Sequence, residues 1–159
     1  MIKRGVDLVT LFEGYSSTPY RCSAGVWTIG FGTTRYPNGK RVTKFDPECT
    51  RGKAEAWLHH ELVKAERAVI RYCKPYLNDI QRAALASFVY NLGSGAFRAS
   101  TLRRRINSND WEDVPYQLSR WNKAGGRVLR GLSRRRAAEA ELWCEGVNCY
   151  SESVFNRSD

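Results

Sequence analysis

A carboxylate, a thiol and a hydroxyl stand at Glu13, Cys22 and Thr28, the thiol nine positions after the acid and the hydroxyl six further on. Together they supply a proton donor, a second ionisable group and a hydroxyl able to orient water, which is the equipment of a hydrolase. That chemistry requires a fold that gathers them. On spacing alone the plainer account has the better claim: a surface carboxylate at a helix end, a small buried thiol and an ordinary strand residue. His59 and His60 are the only histidines. Adjacent residues point in different directions on a helix, which is poor geometry for zinc, and no CxxC is present. Neither metal nor cofactor is expected.

The elements that must position these groups follow from periodicity and punctuation. Val6, Leu8, Val9 and Phe12 recur near helical spacing and Gly14 is a natural stop, so Glu13 falls at the carboxyl end of a first helix. From Tyr15 to Val42, Pro19, Gly25, Gly30, Gly32 and Pro37-Asn38-Gly39 punctuate short β-type runs such as Val26-Trp27-Thr28-Ile29, predicting a small antiparallel sheet. A hairpin there brings Cys22 and Thr28 toward Glu13. Thr50 reads as the N-cap of a long helix, in which Ala54, Trp57, Leu58, Leu62, Ala65, Val69 and Tyr72 keep a 3/4 spacing until Pro75.

Asn78 with Gln81 resembles a capping box for a helix through Tyr90. Ser100 and Asp110 can cap two shorter helices, the second carrying Trp111, Leu118 and Trp121. Gly125-Gly126 marks a turn, and Ser133 can cap a last helix over 134–142 that Gly146 stops. The predicted class is α+β in one domain. A first helix and β lobe cover about 1–48, a connecting helix about 50–73, a helical lobe about 76–146 and a polar tail about 147–159.

With 159 residues, 42% of them hydrophobic, the chain can bury a core without staples. No apolar run approaches the roughly 20 residues needed to cross a bilayer. Asp7 and Glu13 interrupt any signal-peptide core, so neither a Sec-type export signal nor a membrane anchor is expected. The 26 Lys+Arg less 16 Asp+Glu leave +10, which predicts an anionic partner: nucleic acid, phospholipid or acidic polymers of a bacterial envelope. Arg103-Arg104-Arg105 and Arg134-Arg135-Arg136 would suit nucleic acid, or a cationic helix that disturbs membranes. Neither reading accounts for the Glu/Cys/Thr block, and no nucleic-acid motif surrounds the triplets. Five cysteines leave at least one unpaired in a monomer. Cys144 and Cys149 are close enough to bridge in an oxidising periplasm, and Cys49 and Cys73 read as buried thiols.

The Glu13, Cys22, Thr28 spacing with Gly30-Phe31-Gly32 after it resembles the active-site signature of the phage lysozymes of glycoside hydrolase family 24. Ala84 to Gly93, Phe97 and Ser100-Thr101-Leu102 resemble that family's helical core segment. Arg120 to Gly126, Gly131-Leu132, Arg135-Arg136 and Glu139 resemble its C-terminal signature. The resemblance implies a lysozyme-like two-lobed fold and cleavage of the β-1,4 bond between N-acetylmuramic acid and N-acetylglucosamine in peptidoglycan, lysing the host cell. Glu13 would be the general acid. Cys22 and Thr28 would hold or activate water on the opposite sugar face, the inverting arrangement, with a covalent route through a thiolate left open. A free thiol titrates near roughly 8.5, so this role needs a depressed value, and Arg21 is adjacent.

In the family an arginine of the last helix approaches the acid. Arg135 is preferred here over Arg134 and Arg136, against the plainer account that the run pairs with Glu139 and Glu141 on a solvated face. Phe31 and Phe97, with Trp27, could line the sugar groove. Most members carry Asp at the Cys22 position. A subset carries Cys, and some of these have a signal-arrest-release segment and a blocking disulfide to that Cys; nothing in this sequence resembles the segment. A lytic transglycosylase, cutting the same bond with a 1,6-anhydro product, is the near alternative. The partner expected is peptidoglycan and not nucleic acid. The expected setting is a monomer made in the host cytoplasm that reaches the wall through a holin-type pore.

Overall fold

The computed structural model describes the backbone of residues 2–155 and the side chains of residues 3–148. Helix α1 (Ile2–Phe12) turns Leu8 and Val9 into the core. The Glu13 N–H donates to Val9 O at 2.9 Å and closes the last turn, so Glu13 is the first residue past the helix. Strand β1 (Ser16–Arg21) pairs antiparallel with β2 (Trp27–Gly30), Tyr20 opposite Thr28 and Arg21 opposite Trp27. Their connection is tight. The Cys22 N–H donates to Val26 O at 3.0 Å and the Gly25 N–H to Cys22 O at 2.8 Å. Cys22 therefore opens the hairpin turn, while Thr28 sits one step inside β2.

The loop that follows adds two isolated bridges, Ile29 with Thr33 and Arg35 with Arg41. It reverses at Pro37-Asn38-Gly39, where the Gly39 N–H donates to Tyr36 O at 2.9 Å. Asp46 fastens it, accepting from the Tyr36 hydroxyl at 2.7 Å, the Thr43 N–H at 3.0 Å and the Thr43 hydroxyl at 2.8 Å.

Helix α2 (Arg51–Tyr72) starts at Thr50, whose hydroxyl accepts from the Lys53 N–H at 3.2 Å. Its 22 residues span about 33 Å. Ala54, Leu58, Leu62, Ala65 and Val69 recur every three or four residues and are buried, forming the stripe on which the core is laid. Helix α3 (Asp79–Leu92) opens on a reciprocal cap, Asn78 Oδ1 accepting from the Gln81 N–H and Gln81 Oε1 from the Asn78 N–H. Residues Ala83 through Val89 are all buried, so α3 runs through the middle of the molecule, with α1, α2 and α7 packed on it. Alanines at 83, 84 and 86 let the neighbouring helices approach. Helices α4 (Ser94–Ala99) and α5 (Thr101–Asn107) follow, the latter capped by Ser100.

Beyond Asn107 the chain departs from the sequence-based expectation. Asp110 makes no side-chain cap bond: Trp111–Asp113 is a 3-10 turn, α6 (Val114–Ser119) follows, and Trp121 lies past it. Pro115 explains the restart, because a residue without an N–H suits only the first turn of a helix. The Gly125-Gly126 turn joins β3 (Lys123–Ala124) to β4 (Arg127–Val128), a hairpin too short to announce itself by alternation. Helix α7 (Arg130–Phe155) begins before Ser133, whose N–H donates to Leu129 O instead of its hydroxyl capping the helix.

Gly146 does not stop α7. A Cβ there would lie 2.8 Å from Gln81 Cγ and 3.0 Å from Asn78 Oδ1, and Asn78 Nδ2 donates to Gly146 O at 2.8 Å. Glycine serves the close approach to the start of α3. What reads as a polar tail is helix through Phe155; residues 156–159 of that segment, and any bridge from Cys144 to the Cys149 side chain, lie outside what is described. The architecture is α+β, mostly helical, with a two-stranded antiparallel sheet directly following the Glu13 corner.

Candidate active site

Glu13 lies at the corner between α1 and β1, its side chain 26% exposed. Arg135, on the second turn of α7 and 4% exposed, donates from Nη1 to Glu13 Oε1 at 2.7 Å. The acid and its partner come from opposite ends of the chain. Arg135 is itself held. Its Nη2 donates to Ser87 O at 3.3 Å, and its Nε stands 3.5 Å from Glu139 Oε1. Glu139 is fully buried, and Oε1 accepts from the Ser87 hydroxyl at 2.7 Å and from Arg136 Nη2 at 2.8 Å. Arg136 Nε faces Glu139 Oε2 at 2.8 Å, and Nη2 also donates to Asn91 Oδ1 at 3.0 Å.

Glu139 lies four residues after Arg135 and three after Arg136, so it neighbours both arginines on the helix. Burial pushes the Glu139 carboxyl up from the usual carboxylate range, while Arg136, Ser87 and Arg135 pull it back. Removing one member of such a buried cluster costs on the order of 3–5 kcal/mol, because a desolvated charge is left behind. Arg135 thus presents its guanidinium to Glu13 from a rigid support.

Glu13 edges a cavity of about 570 Å³, with Gly32, Thr34, Arg35, Glu61 and Tyr90 among its walls. Gly32 has φ +86°, a left-handed backbone that favours glycine, and a Cβ there would crowd the Tyr90 hydroxyl at 3.3 Å and touch Glu13 Oε2 at 3.5 Å. The Tyr90 hydroxyl donates to Phe31 O at 2.8 Å, and its phenol is pushed up by burial and by the Glu13 charge.

Cys22 and Thr28 are brought to each other by the hairpin. Hydrogen bonds from the backbone N–H groups of Val26 and Ala24 hold the Cys22 thiol below its ordinary value, and the Thr28 hydroxyl adds to them against a desolvation that raises it. Arg21, the expected source of this shift, instead lays its guanidinium over the Trp27 ring at 5.2 Å. Thr28 is buried, and its hydroxyl donates to Val26 O at 3.0 Å. Neither residue lines the 570 Å³ cavity. The link to Glu13 runs through Tyr20, opposite Thr28 in the sheet, whose phenol is pushed up by burial and then by the Glu13 and Cys22 charges together.

Phe31 and Phe97 need correction as groove residues. Phe31 is 1% exposed, packed on Tyr15 with ring centroids 5.2 Å apart; Phe97 is fully buried against Phe88. Neither ring can reach a sugar. Phe31 directly follows β2 and Phe97 is the one buried residue of α4, and each ring fills the core. Glu139, Ser87 and Asn91 went unassigned as site residues. The 135/136/139 spacing does carry a signal, but it reads as a solvated ion-pair face until burial reverses it. Among the described residues, Cys22, Cys49, Cys73 and Cys144 form no disulfide with one another. Among the described residues, no three His, Cys, Asp or Glu side chains are gathered in a way that could hold a metal.

A family model for phage lysozymes matches residues 10–139. The SAR-endolysin of Enterobacteria phage PA-2 is 40% identical over 133 residues, 82% of this chain and 78% of that one. Among solved structures, an endolysin from Escherichia coli O157:H7 phage FAHEc1 superposes with a TM-score of 0.80 at 32% identity, over 89% of this chain and 90% of that one. A P22 lysozyme variant superposes with a TM-score of 0.77 at 29% identity, over 88% and 94%. Alone, the Glu13–Arg135 corner is a carboxylate braced beside a cavity; with a family match over most of the sequence and the same fold in its relatives, the chain belongs to the phage lysozyme family.

Proposed function

We propose that Glu13 is the general acid of this glycoside hydrolase, protonating the leaving oxygen of the β-1,4 bond between N-acetylmuramic acid and N-acetylglucosamine. As an endolysin of the phage lysozyme family the chain is a muramidase that hydrolyses peptidoglycan. The observation that carries the residue assignment is the 2.7 Å contact between Arg135 and Glu13 at the lip of the cavity. A guanidinium locked by Ser87 and Glu139 fixes the carboxyl in one orientation, which is worth more in catalysis than a mobile partner.

Cys22 and Thr28 take the water. The Thr28 hydroxyl has one proton to give, to Val26 O or to the Cys22 sulfur, and its lone pairs remain open to a water molecule. A thiol held toward its anionic form supplies the acceptor for the water proton, in the inverting arrangement in which acid and base act on opposite faces of the ring. In the same reading the enzyme works as a monomer, is made in the host cytoplasm and reaches the wall through a holin-type pore. Among the described residues no helix is long and apolar enough to cross a membrane.

Glu13→Gln tests the assignment. Release of muropeptides falls by roughly 10²–10⁴-fold with an unchanged circular dichroism spectrum, the range expected for loss of a general acid. Mass spectrometry of the products shows reducing muramic acid ends. Products ending in 1,6-anhydro sugars would identify a transglycosylase instead. A Glu13→Gln chain that lyses cells undiminished would leave Glu13 without the role.

A further inference from the structure

A second hollow, of about 410 Å³, adjoins the catalytic cavity and shares Thr34 and Arg35 with it. One wall is Gly25-Val26-Trp27, the far side of the turn that Cys22 opens; Arg41 stands among the others. Its charges are all of one sign. Arg21 stacks over Trp27 at 5.2 Å, and Arg21, Arg35 and Arg41 are exposed. Among the described residues none of these three has an ion-pair partner. Asp46, an acid of the same loop, is already committed to Tyr36 and Thr43. Arg35 is also braced, with Nη1 donating to Gly39 O at 2.6 Å, and a guanidinium has five N–H donors in a fixed fork.

Neutral sugar hydroxyls give no reason to gather three unneutralised guanidiniums around an aromatic face. A planar anion does, since the fork matches a carboxylate in a bidentate fashion. The polymer that the neighbouring cavity cuts carries such anions in one place: the carboxylates of the peptide stem attached through the lactyl group of muramic acid. We propose that the Arg35–Arg41–Trp27 hollow is a subsite for the stem-peptide carboxylates of the muramic acid residue beside the scissile bond. Arg35 and Arg41 bind the carboxylates, and Trp27 with Arg21 over its ring forms the floor. The proposal rests on the muramidase reading centred on Glu13 and adds a substrate preference to it: wall whose stem carboxylates are free over wall whose stem carboxylates are amidated.

The test is the ratio of kcat/KM on peptidoglycan bearing uncross-linked peptide stems to that on the same peptidoglycan with its stem carboxylates converted to neutral amides. In Arg35→Gln and in Arg41→Gln the ratio falls by about tenfold, the weight of one charge-assisted contact, with the loss mainly in KM. Arg67→Gln, an exposed cation on α2 without an ion-pair partner, keeps the wild-type ratio. An unchanged ratio in both test variants overturns the subsite alone, and so does an equal fall in Arg67→Gln, which would make the effect one of overall charge. A wild-type chain that cleaves neither substrate overturns the muramidase reading and the subsite with it.

Discussion

Cys22 shows how a hairpin turn can make a thiol useful without burying it. Backbone N–H groups of Val26 and Ala24 converge on the sulfur and favour its anionic form, and the Thr28 hydroxyl adds a donor. The sign is definite: a lowered value means the thiolate is present at a pH where an ordinary thiol, near about 8.5, is still protonated. In a chain carrying Cys144→Ser and Cys149→Ser, the rate of Cys22 alkylation by iodoacetamide therefore rises with pH to a half-maximum below that value. Thr28→Val moves the midpoint upward. A midpoint at or above the ordinary value would remove the base from the scheme. Cys73 provides an internal contrast, since burial pushes it up to about 12. At this scale the sequence carries the types and spacing of Glu13, Cys22, Thr28 and Arg135, because short motifs and one helical face are local. It does not carry burial. Phe31, Phe97 and Glu139 were misplaced for one reason: whether a side chain meets solvent depends on what packs over it from far along the chain.

Helices with strong local signals were legible as elements. Thr50 and the 3/4 stripe mark α2, and the Asn78–Gln81 pair marks α3, because caps and periodicity act within a few residues. Gly146 was misread because its reason lies 65 positions away, at Gln81. Two glycine substitutions separate close approach from helix propensity. Gly146→Ala, forced against Gln81 and Asn78, destabilises the fold by about 1–3 kcal/mol, seen as a lower urea midpoint at unchanged slope. Gly52→Ala, at an open position of α2 with nothing within 4 Å, leaves the midpoint level or raises it. Equal effects at the two sites would return Gly146 to the role of an ordinary helix glycine. The β3–β4 hairpin escaped notice because four strand residues exposed on both faces leave no alternation to read.

Across the whole molecule the +10 balance meets an anionic wall, and the buried charged residues Glu66, Arg135, Arg136 and Glu139 each have an ion-pair partner. The initial rate of wall clearing consequently falls as salt is raised from about 0.1 M to about 1 M, where the screening length shrinks from roughly 10 Å to 3 Å. The products stay the same. A rate indifferent to salt would assign the surplus to something other than encounter with substrate. The Glu13–Arg135 contact spans 122 positions of sequence, and Arg135 lies on the last helix, docked along α3. A ribosome must therefore translate past Arg135 before the acid can acquire its partner. Polypeptides that end before Arg135 carry Glu13 unbraced, so a toxic activity is withheld from them.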